Sequence, residues 1–141
     1  MYFSLIHAVL SLTIFTLSAF AQSTQLNYPP PGSTVTAGSD ITVQVGMGGY
    51  PENIDVVSIV IGLIPCNDGQ CSPPNEFLGT VLYQGPYNPQ PGNYFENYTV
   101  TVPQSFPAGE ASLGVINFFL VGASYEPVFD FLNETLTVVA S

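Results

Sequence analysis

The chain has 141 residues and a formal net charge of −10 at pH 7, from ten acidic side chains with no Lys or Arg and a single His. Nucleic-acid binding requires Lys and Arg that displace counterions from phosphates, and attraction to anionic lipid requires the same cations, so both functions are excluded. At this length we expect one domain with one hydrophobic core.

Residues 1–21 predict a secretory signal peptide. An apolar run ends on "AFA", residues 19–21, the small-x-small pattern that signal peptidase accepts. The run is shorter than the roughly 20 apolar residues that a membrane-spanning helix needs. We therefore expect cleavage after Ala21, a mature N-terminus at Gln22, a secreted, extracellular protein and no membrane anchor. Because His7 lies in this leader, the mature chain is expected to have no cationic side chain.

After a Pro-rich lead-in over residues 22–32, the sequence becomes a series of short apolar runs separated by Gly, Pro, Asn and Asp. Alternation of apolar and polar residues predicts half-buried strands in "DITVQVGM" and "YTVTVP". "DVVSIVIGLI" and "ASLGVINFFLVG" are apolar on both faces and predict two central strands. Further strands are predicted in "FLGTVLYQG", in "NETLTVVA" and at residues 33–36.

About seven short strands with turn signals between them are typical of an all-β fold. We predict a single immunoglobulin-like antiparallel β-sandwich over residues 33–141. A small β-barrel is the alternative. The Trp and the widely spaced Cys pair of antibody domains are both missing, so the prediction concerns the architecture alone.

The two cysteines, Cys66 and Cys71, flank the turn sequence "NDGQ". A zinc site would need two more soft ligands, which a mature chain with neither His nor further Cys does not have. A redox pair usually has two intervening residues and lies beside a helix and cations. A secretory route permits a disulfide, and we predict a Cys66–Cys71 bridge that fixes a loop. Asp68 lacks the alternating acids of a calcium loop, so we expect no metal and no cofactor.

Two tripeptides, "NYT" at Asn97 and "NET" at Asn133, are N-glycosylation sequons. Alternation places both asparagines on the solvent face of their strands. We predict glycosylation at Asn97 and Asn133 if the source is eukaryotic. The alternative is that both are ordinary polar strand residues.

The sequence offers little for catalysis. Nucleophilic mechanisms of the Ser-His-Asp or Cys-His kind need a His or Lys base, which the mature chain lacks. Paired carboxylates could do acid-base work, but the ten acids are scattered singly among loops and strand ends. We therefore expect no enzymatic activity and a function in binding.

The loop from Tyr83 to Phe95 is a candidate contact surface. Tyr83, Tyr87 and Tyr94 lie there among prolines that keep the loop stiff, and Tyr on a rigid loop is common in binding surfaces. The alternative is that the loop packs onto its own sandwich.

From Tyr28 to Val139 the sequence resembles the fungal necrosis-inducing secreted protein family, a group of small secreted effectors. The segments that carry the resemblance are "PGSTVTAGSDITVQV", "VVSIVIGLIP", "FLGTVLYQGPY", "YTVTVPQSFPAGEASLGVINFFLVGAS" and "FLNETLTVV". The resemblance implies a fungal protein that is secreted, enters host tissue and suppresses pattern-triggered immunity in plants by binding receptor-associated immune kinases. The resemblance also implies that the protein induces cell death in some settings.

An acidic surface without cations predicts a protein partner with a basic surface, for which the resemblance indicates plant immune receptor-associated kinases. A non-catalytic module that binds cell-wall glycan is the competing interpretation. It is supported by "PPPGSTVTAGSDITV", which also resembles the opening of immunoglobulin-like domains in fungal wall glycoproteins.

Overall fold

A computed structural model describes residues 24–48, 54–90 and 92–141, so the predicted signal peptide lies outside the described residues. The described residues form β-strands and no helix, which confirms the predicted all-β class. The strands are β1 (Thr24–Tyr28), β2 (Thr34–Thr36), β3 (Asp40–Met47), β4 (Ile54–Pro65), β5 (Thr80–Gly85), β6 (Phe95–Thr101), β7 (Gly109–Val121) and β8 (Glu126–Val139). In this part of the chain no helix is long and apolar enough to cross a membrane.

The strands form two sheets around one core. The smaller sheet has the order β1-β3-β6 and the larger has the order β2-β8-β7-β4-β5. Val43 and Val45 of the smaller sheet share a buried cluster with Ile59, Ile61 and Leu113 of the larger sheet. The arrangement is that of a sandwich, and its immunoglobulin-like character stays a prediction.

The prediction of about seven strands is corrected by β1, which lies inside the segment assigned to the lead-in. β1 pairs with β3 from Thr24↔Met47 to Tyr28↔Gln44. Thr24 is buried and Leu26 is half-buried against the core, while Gln25 and Asn27 are exposed, so the strand alternates over its first four residues with a single aliphatic side chain. The antiparallel prediction is also incomplete, because β2 pairs with β8 in parallel.

β4 is a central strand between β7 and β5, as predicted. Its second half follows the predicted alternation, with Ile59 and Leu63 fully buried. The same alternation predicts Val57 on the inner face, but Val57 is exposed. A register shift between Val56 and Ser58 leaves Val57 as an extra residue, and Val56 packs against the core instead.

β7 and β8 form a long hairpin, paired from Gly109↔Val138 to Val121↔Glu126. β8 therefore begins well before the predicted start at Asn133. Successive residues of a strand point to opposite faces, so buried Leu136 defines the inner face and exposed Asn133 the outer one. This hairpin positions the side chains considered next.

Candidate functional site

The predicted disulfide is present and closes a tight hairpin. Cys66 and Cys71 are bonded, with Cα atoms 4.3 Å apart. Between them Asn67 and Gln70 exchange two backbone hydrogen bonds of 2.9 Å. The two central turn residues, Asp68 and Gly69, both have positive φ, as a type I′ turn requires and as an Asp-Gly pair favours. The predicted reversal is thus confirmed.

Glu110 brings a carboxylate to the same hairpin. One carboxylate oxygen lies 3.6 Å from Cys71 Sγ, and the possible ligand atoms of Cys66, Cys71 and Glu110 lie within 4.8 Å of one another. Metal ions bind cysteine as the thiolate, which neither sulfur offers while the two are bonded to each other. With the disulfide formed, Glu110 is the one member of this group of three that can bind a metal ion.

Beyond the disulfide, residues 72–79 fold back over the outer face of the larger sheet; we name this segment the cover loop. The cover loop lies on two glycines that are paired on adjacent strands, Gly62 of β4 and Gly114 of β7. A Cβ on Gly114 would lie 2.8 Å from Leu78 Cδ1, closer than Cβ atoms approach other atoms, and 3.1 Å from Pro74 Cβ, which is a tight contact. The two glycines thus form a slot that receives the cover loop.

The predicted tyrosine contact loop is wrong for Tyr87. Its side chain is 1 % exposed and its hydroxyl donates to the Val45 carbonyl at 3.3 Å, so Tyr87 belongs to the core. Burial and the nearby Glu96 carboxylate raise the pKa of Tyr87. Sequence composition identifies such a segment as a loop but does not show which way its rings point.

Tyr83 is also directed inward, so its assignment to the contact surface is corrected too. It lies in β5, packs against the core, and its ring centroid is 4.6 Å from that of Tyr98 in β6. The Tyr98 hydroxyl donates to Glu96 Oε2 at 3.0 Å, and burial followed by this hydrogen bond raises the pKa of Tyr98. The ring pair joins the two sheets. Tyr94 is 38 % exposed and stays a candidate contact residue.

Both sequon asparagines are exposed, as alternation predicts. Asn97 of β6 accepts a hydrogen bond from Gln44 Nε2 at 2.9 Å. Asn133 lies on the outer face of β8, opposite Gly114. Glycosylation itself stays a prediction at both positions.

A cluster of aromatic rings on the outer face of the larger sheet was not predicted. Phe118 of β7 stacks on Phe129 of β8, and Phe129 in turn stacks on Phe131 at 6.3 Å between centroids. Phe129 is 52 % exposed and Phe131 46 % exposed. Half-buried Ile116 pairs with Phe131, and half-buried Val60 pairs with Ile116 on its other side. We name the surface formed by these three rings and two aliphatic side chains the aromatic face.

The aromatic face has defined borders. On one side, the neighbouring outward-facing positions of β4 and β7 are Gly62 and Gly114, which lie under the cover loop. Phe77 of the cover loop is exposed. On the other side Asp55 of β4 pairs with Leu120 of β7, and both line a cavity of about 350 Å³. An exposed acid thus adjoins an apolar surface in a chain without Lys or Arg. Exposed apolar patches with polar borders are typical of protein interaction sites.

Comparison with known proteins identifies the family. A sequence model of the Nis1 family matches residues 9–137. The chain belongs to the Nis1 family. The family resemblance stated from the sequence is thereby confirmed.

Among curated relatives, the Nis1-family chain is 31 % identical over 107 residues to necrosis-inducing secreted protein 1 of Colletotrichum orbiculare. The matched region is 74 % of this chain and 64 % of that relative, so the chain spans less than two thirds of the relative's length.

Two solved structures of a distant protein resemble this chain in fold. The Nis1-family chain is similar to the superoxide reductase (neelaredoxin) from Ignicoccus hospitalis, with a TM-score of 0.55, 13 % identity, and coverage of 88 % of this chain and 86 % of that one. A second structure of the protein gives a TM-score of 0.52 at 13 % identity, with coverage of 83 % and 80 %. At this identity the likeness concerns the fold alone.

Proposed function

We propose that this chain is a secreted fungal effector that acts by binding a host protein through the aromatic face. Membership of the Nis1 family, with a relative named as a necrosis-inducing secreted protein, supports an extracellular effector whose leader is residues 1–21. The observation that carries the binding proposal is the exposed stack of Phe129 and Phe131. Rings of this kind are the anchors that supply most of the binding energy in protein interfaces.

The proposed partner is a plant immune receptor-associated kinase with a basic surface, and the proposed outcome is suppression of pattern-triggered immunity. Charge supports a basic partner: with ten acids and no Lys or Arg, the chain attracts cationic surfaces and repels further copies of itself. Asp55 beside the aromatic face would pair with a Lys or Arg that borders the apolar contact. No catalytic step is proposed.

Binding of cell-wall glycan is the second candidate, because exposed rings on a sheet are also suited to stacking on sugar. Affinity capture separates the two proposals. Immobilised, oxidised protein is exposed to plant extract and to fungal wall glucan, and the retained material is identified by mass spectrometry.

The F129S/F131S double variant is the matched comparison. Retention of receptor-associated kinases by the native protein and not by the double variant supports the effector proposal. Retention of glucan alone supports the wall module, and equal kinase retention by both proteins contradicts the role of the aromatic face.

A further inference from the structure

Each predicted glycosylation sequon has a phenylalanine two residues before its asparagine. The sequence is "FENYT" over residues 95–99 and "FLNET" over residues 131–135, so both segments have the pattern Phe-x-Asn-x-Thr. The first segment lies in β6 of the smaller sheet and the second lies in β8 of the larger sheet. The same pattern therefore occurs once on each sheet of the sandwich.

The strand geometry places the residues of the second pattern side by side on the outer face. Residues two positions apart in a strand point the same way, and their Cα atoms lie about 7 Å apart. Phe131 and Asn133 are both exposed, whereas Leu132 between them packs against the core. A group attached to the Asn133 side chain therefore begins next to the Phe131 ring.

The surroundings of Asn133 leave room for a bulky attached group. Its cross-strand partner is Gly114, which has no side chain. On the other side β2 pairs with β8 only from Thr137 onward, so within the described residues no strand pairs with Asn133 there. Phe131 is 46 % exposed, and its stacking on Phe129 holds the ring in place. An exposed ring of fixed position thus borders an open attachment site.

The first pattern has the same arrangement with a less exposed ring. Phe95 is half-buried, Asn97 is exposed, and both lie on the outer face of β6, at the edge of its sheet. The Asn97 Oδ1 accepts a hydrogen bond from Gln44 Nε2 at 2.9 Å. An N-glycan is attached to Nδ2, so the glycosylated side chain can keep this bond.

We propose that Phe131 is a platform on which the first N-acetylglucosamine of the Asn133 glycan packs, and that Phe95 has the same role for Asn97. Each phenylalanine is then a binding site for a sugar that the chain itself carries. The proposal rests on the predicted glycosylation of the two asparagines and is independent of the proposed host partner.

The chemistry of the two rings supports this contact. The first sugar of an N-glycan is β-linked, and one face of its ring carries only C–H groups. The face of an aromatic ring is negative and attracts such weakly positive hydrogens, and the contact also removes apolar area from water. Covalent attachment two residues away gives the sugar a high effective concentration at the ring. A contact too weak to hold a free sugar can therefore form.

The proposal assigns the two ends of the aromatic face to different occupants. Phe131 lies next to the Asn133 glycan, and its contact with the sugar covers that end. Phe129 lies four positions from Asn133, about 13 Å along the strand, and stays open to a protein partner.

The test compares glycosylated and unglycosylated forms of the same sequence. N97Q protein secreted by a fungal host carries its glycan at Asn133, and an endoglycosidase trims this glycan to one N-acetylglucosamine. Oxidised N97Q protein made in bacteria is the unglycosylated form. Both forms are prepared alone and combined with F131L, F131Y or F129L. F129L is the matched control, because Phe129 is an exposed ring on the same strand and the same face.

Denaturant titration measures the folding equilibrium constant of each form. We expect the single sugar to increase this constant about two- to tenfold in N97Q and in its F131Y and F129L variants, as contacts with an aromatic ring do. The increase should vanish in F131L. In N133Q protein, F95L should likewise remove the effect of the Asn97 sugar, whereas F131L should not.

NMR provides a readout that general stabilisation by a glycan would not give. Protons on the C–H face of the sugar should shift upfield through the ring current of Phe131 and show nuclear Overhauser effects to its ring protons. F131L should abolish both signals, and F129L should keep them.

An equal effect of the sugar on folding in N97Q and in its F131L variant, or sugar protons without ring-current shifts, would overturn the proposal. A protein secreted without glycan at Asn133 would overturn it as well. If F131L does not fold, the NMR signals of the N97Q protein decide, because they report on the native ring. None of these measurements uses a host partner, so their failure is distinct from failure of the proposed function.

Discussion

Phe118 and Phe129 stack face to face across β7 and β8, with ring centroids 4.6 Å apart and ring planes 11° apart. They are direct cross-strand partners on the outer face of the larger sheet. Each ring therefore has a fixed orientation although Phe129 is half exposed. A ring that is already fixed loses little side-chain entropy when a partner covers it, which favours binding.

The two faces of the β7–β8 hairpin should differ sharply in their contribution to stability. We expect the F129S/F131S variant to lose about 1–2 kcal/mol of unfolding free energy, less per residue than a buried ring, because both rings are about half exposed. Phe119, 3 % exposed, packs inward from the same hairpin, and F119A should cost about 3–5 kcal/mol. Denaturant titration measures both changes. Equal losses would show that the aromatic face is structural.

The glycine slot under the cover loop should tolerate no methyl group. We expect G114A to lose about 1–3 kcal/mol of unfolding free energy, because the added Cβ meets the Leu78 side chain at 2.8 Å. In the G114A/L78A double variant the two losses should be less than additive, since the shortened side chain leaves room.

Gly62 provides the control for this slot. A Cβ there meets the Leu78 side chain, with Cγ at 2.6 Å, and also the Leu78 backbone oxygen at 2.7 Å, and L78A removes only the side-chain contact. The losses of G62A and L78A should therefore be closer to additive than those of G114A and L78A, because the backbone contact remains. Thermal melts of the five variants measure the coupling, and additive losses in the G114A pair would contradict the slot.

The disulfide should stabilise the protein modestly, because it closes a short loop. On the chain-entropy estimate we expect C66S/C71S to lose about 2 kcal/mol of unfolding free energy. Amides under the cover loop, such as that of Gly114, should lose more protection from solvent exchange than those at the aromatic face, whose protection should fall only by the global decrease in stability. Denaturation and hydrogen exchange of the oxidised native protein and the variant test this, and an equal loss of protection at both places would contradict a local role.

Alkaline pH should destabilise the fold through Tyr87 and Tyr98. Their pKa values are raised in the folded state, by burial first and by the Glu96 carboxylate second. Above about pH 10 the unfolded chain has released protons that the folded chain still holds. Stability is therefore complete below that pH and falls above it, by about 1.4 kcal/mol per pH unit for each tyrosine.

The slope of this loss identifies the residues responsible. Free energies of unfolding measured between neutral pH and pH 11 should fall less steeply in Y87F and in Y98F than in the native protein. Y125F is the matched control, because Tyr125 is 62 % exposed, and it should keep the native slope. Identical slopes in all four proteins would exclude the two buried hydroxyls as the cause.

Exposed Asn97 and Asn133 should both carry glycan when the protein passes through a eukaryotic secretory pathway. We expect N97Q and N133Q each to remove one glycan, measured as a decrease in mass, and enzymatic deglycosylation to remove the rest. A native mass that deglycosylation leaves unchanged would make both residues ordinary polar strand positions.

Sequence patterns predicted the strands whose burial alternates. β3 and β6 were predicted from alternation, and β4 and β7 from apolar residues on both faces. β1 was not predicted, because its short segment contains a single aliphatic residue, Leu26, and directly precedes the three prolines with which it was assigned to the lead-in. Nor does alternation predict an extra residue such as Val57, which shifts every preceding side chain of β4 to the other face.

Part of the candidate site could be predicted from the sequence. Cys66, Cys71 and the turn between them followed from local chemistry. Tyr87 was assigned to the surface because its loop is rich in Pro and Asn, whereas its position between the sheets is decided by tertiary packing. The sequence did contain a pattern that predicts the aromatic face. The alternation that places Asn133 on the outer face also places Phe131 and Phe129 there, provided that the predicted strand begins before Phe129.

The most direct test of the account is a calorimetric titration of a purified plant immune receptor-associated kinase domain with the oxidised protein, alongside F129S/F131S and the control Y28S. Tyr28 is an exposed aromatic residue of the smaller sheet. We expect the native protein and Y28S to bind equally and the double variant to bind at least about tenfold more weakly, as loss of anchor rings implies. Equal binding by all three proteins, or none by the native protein, would contradict the account.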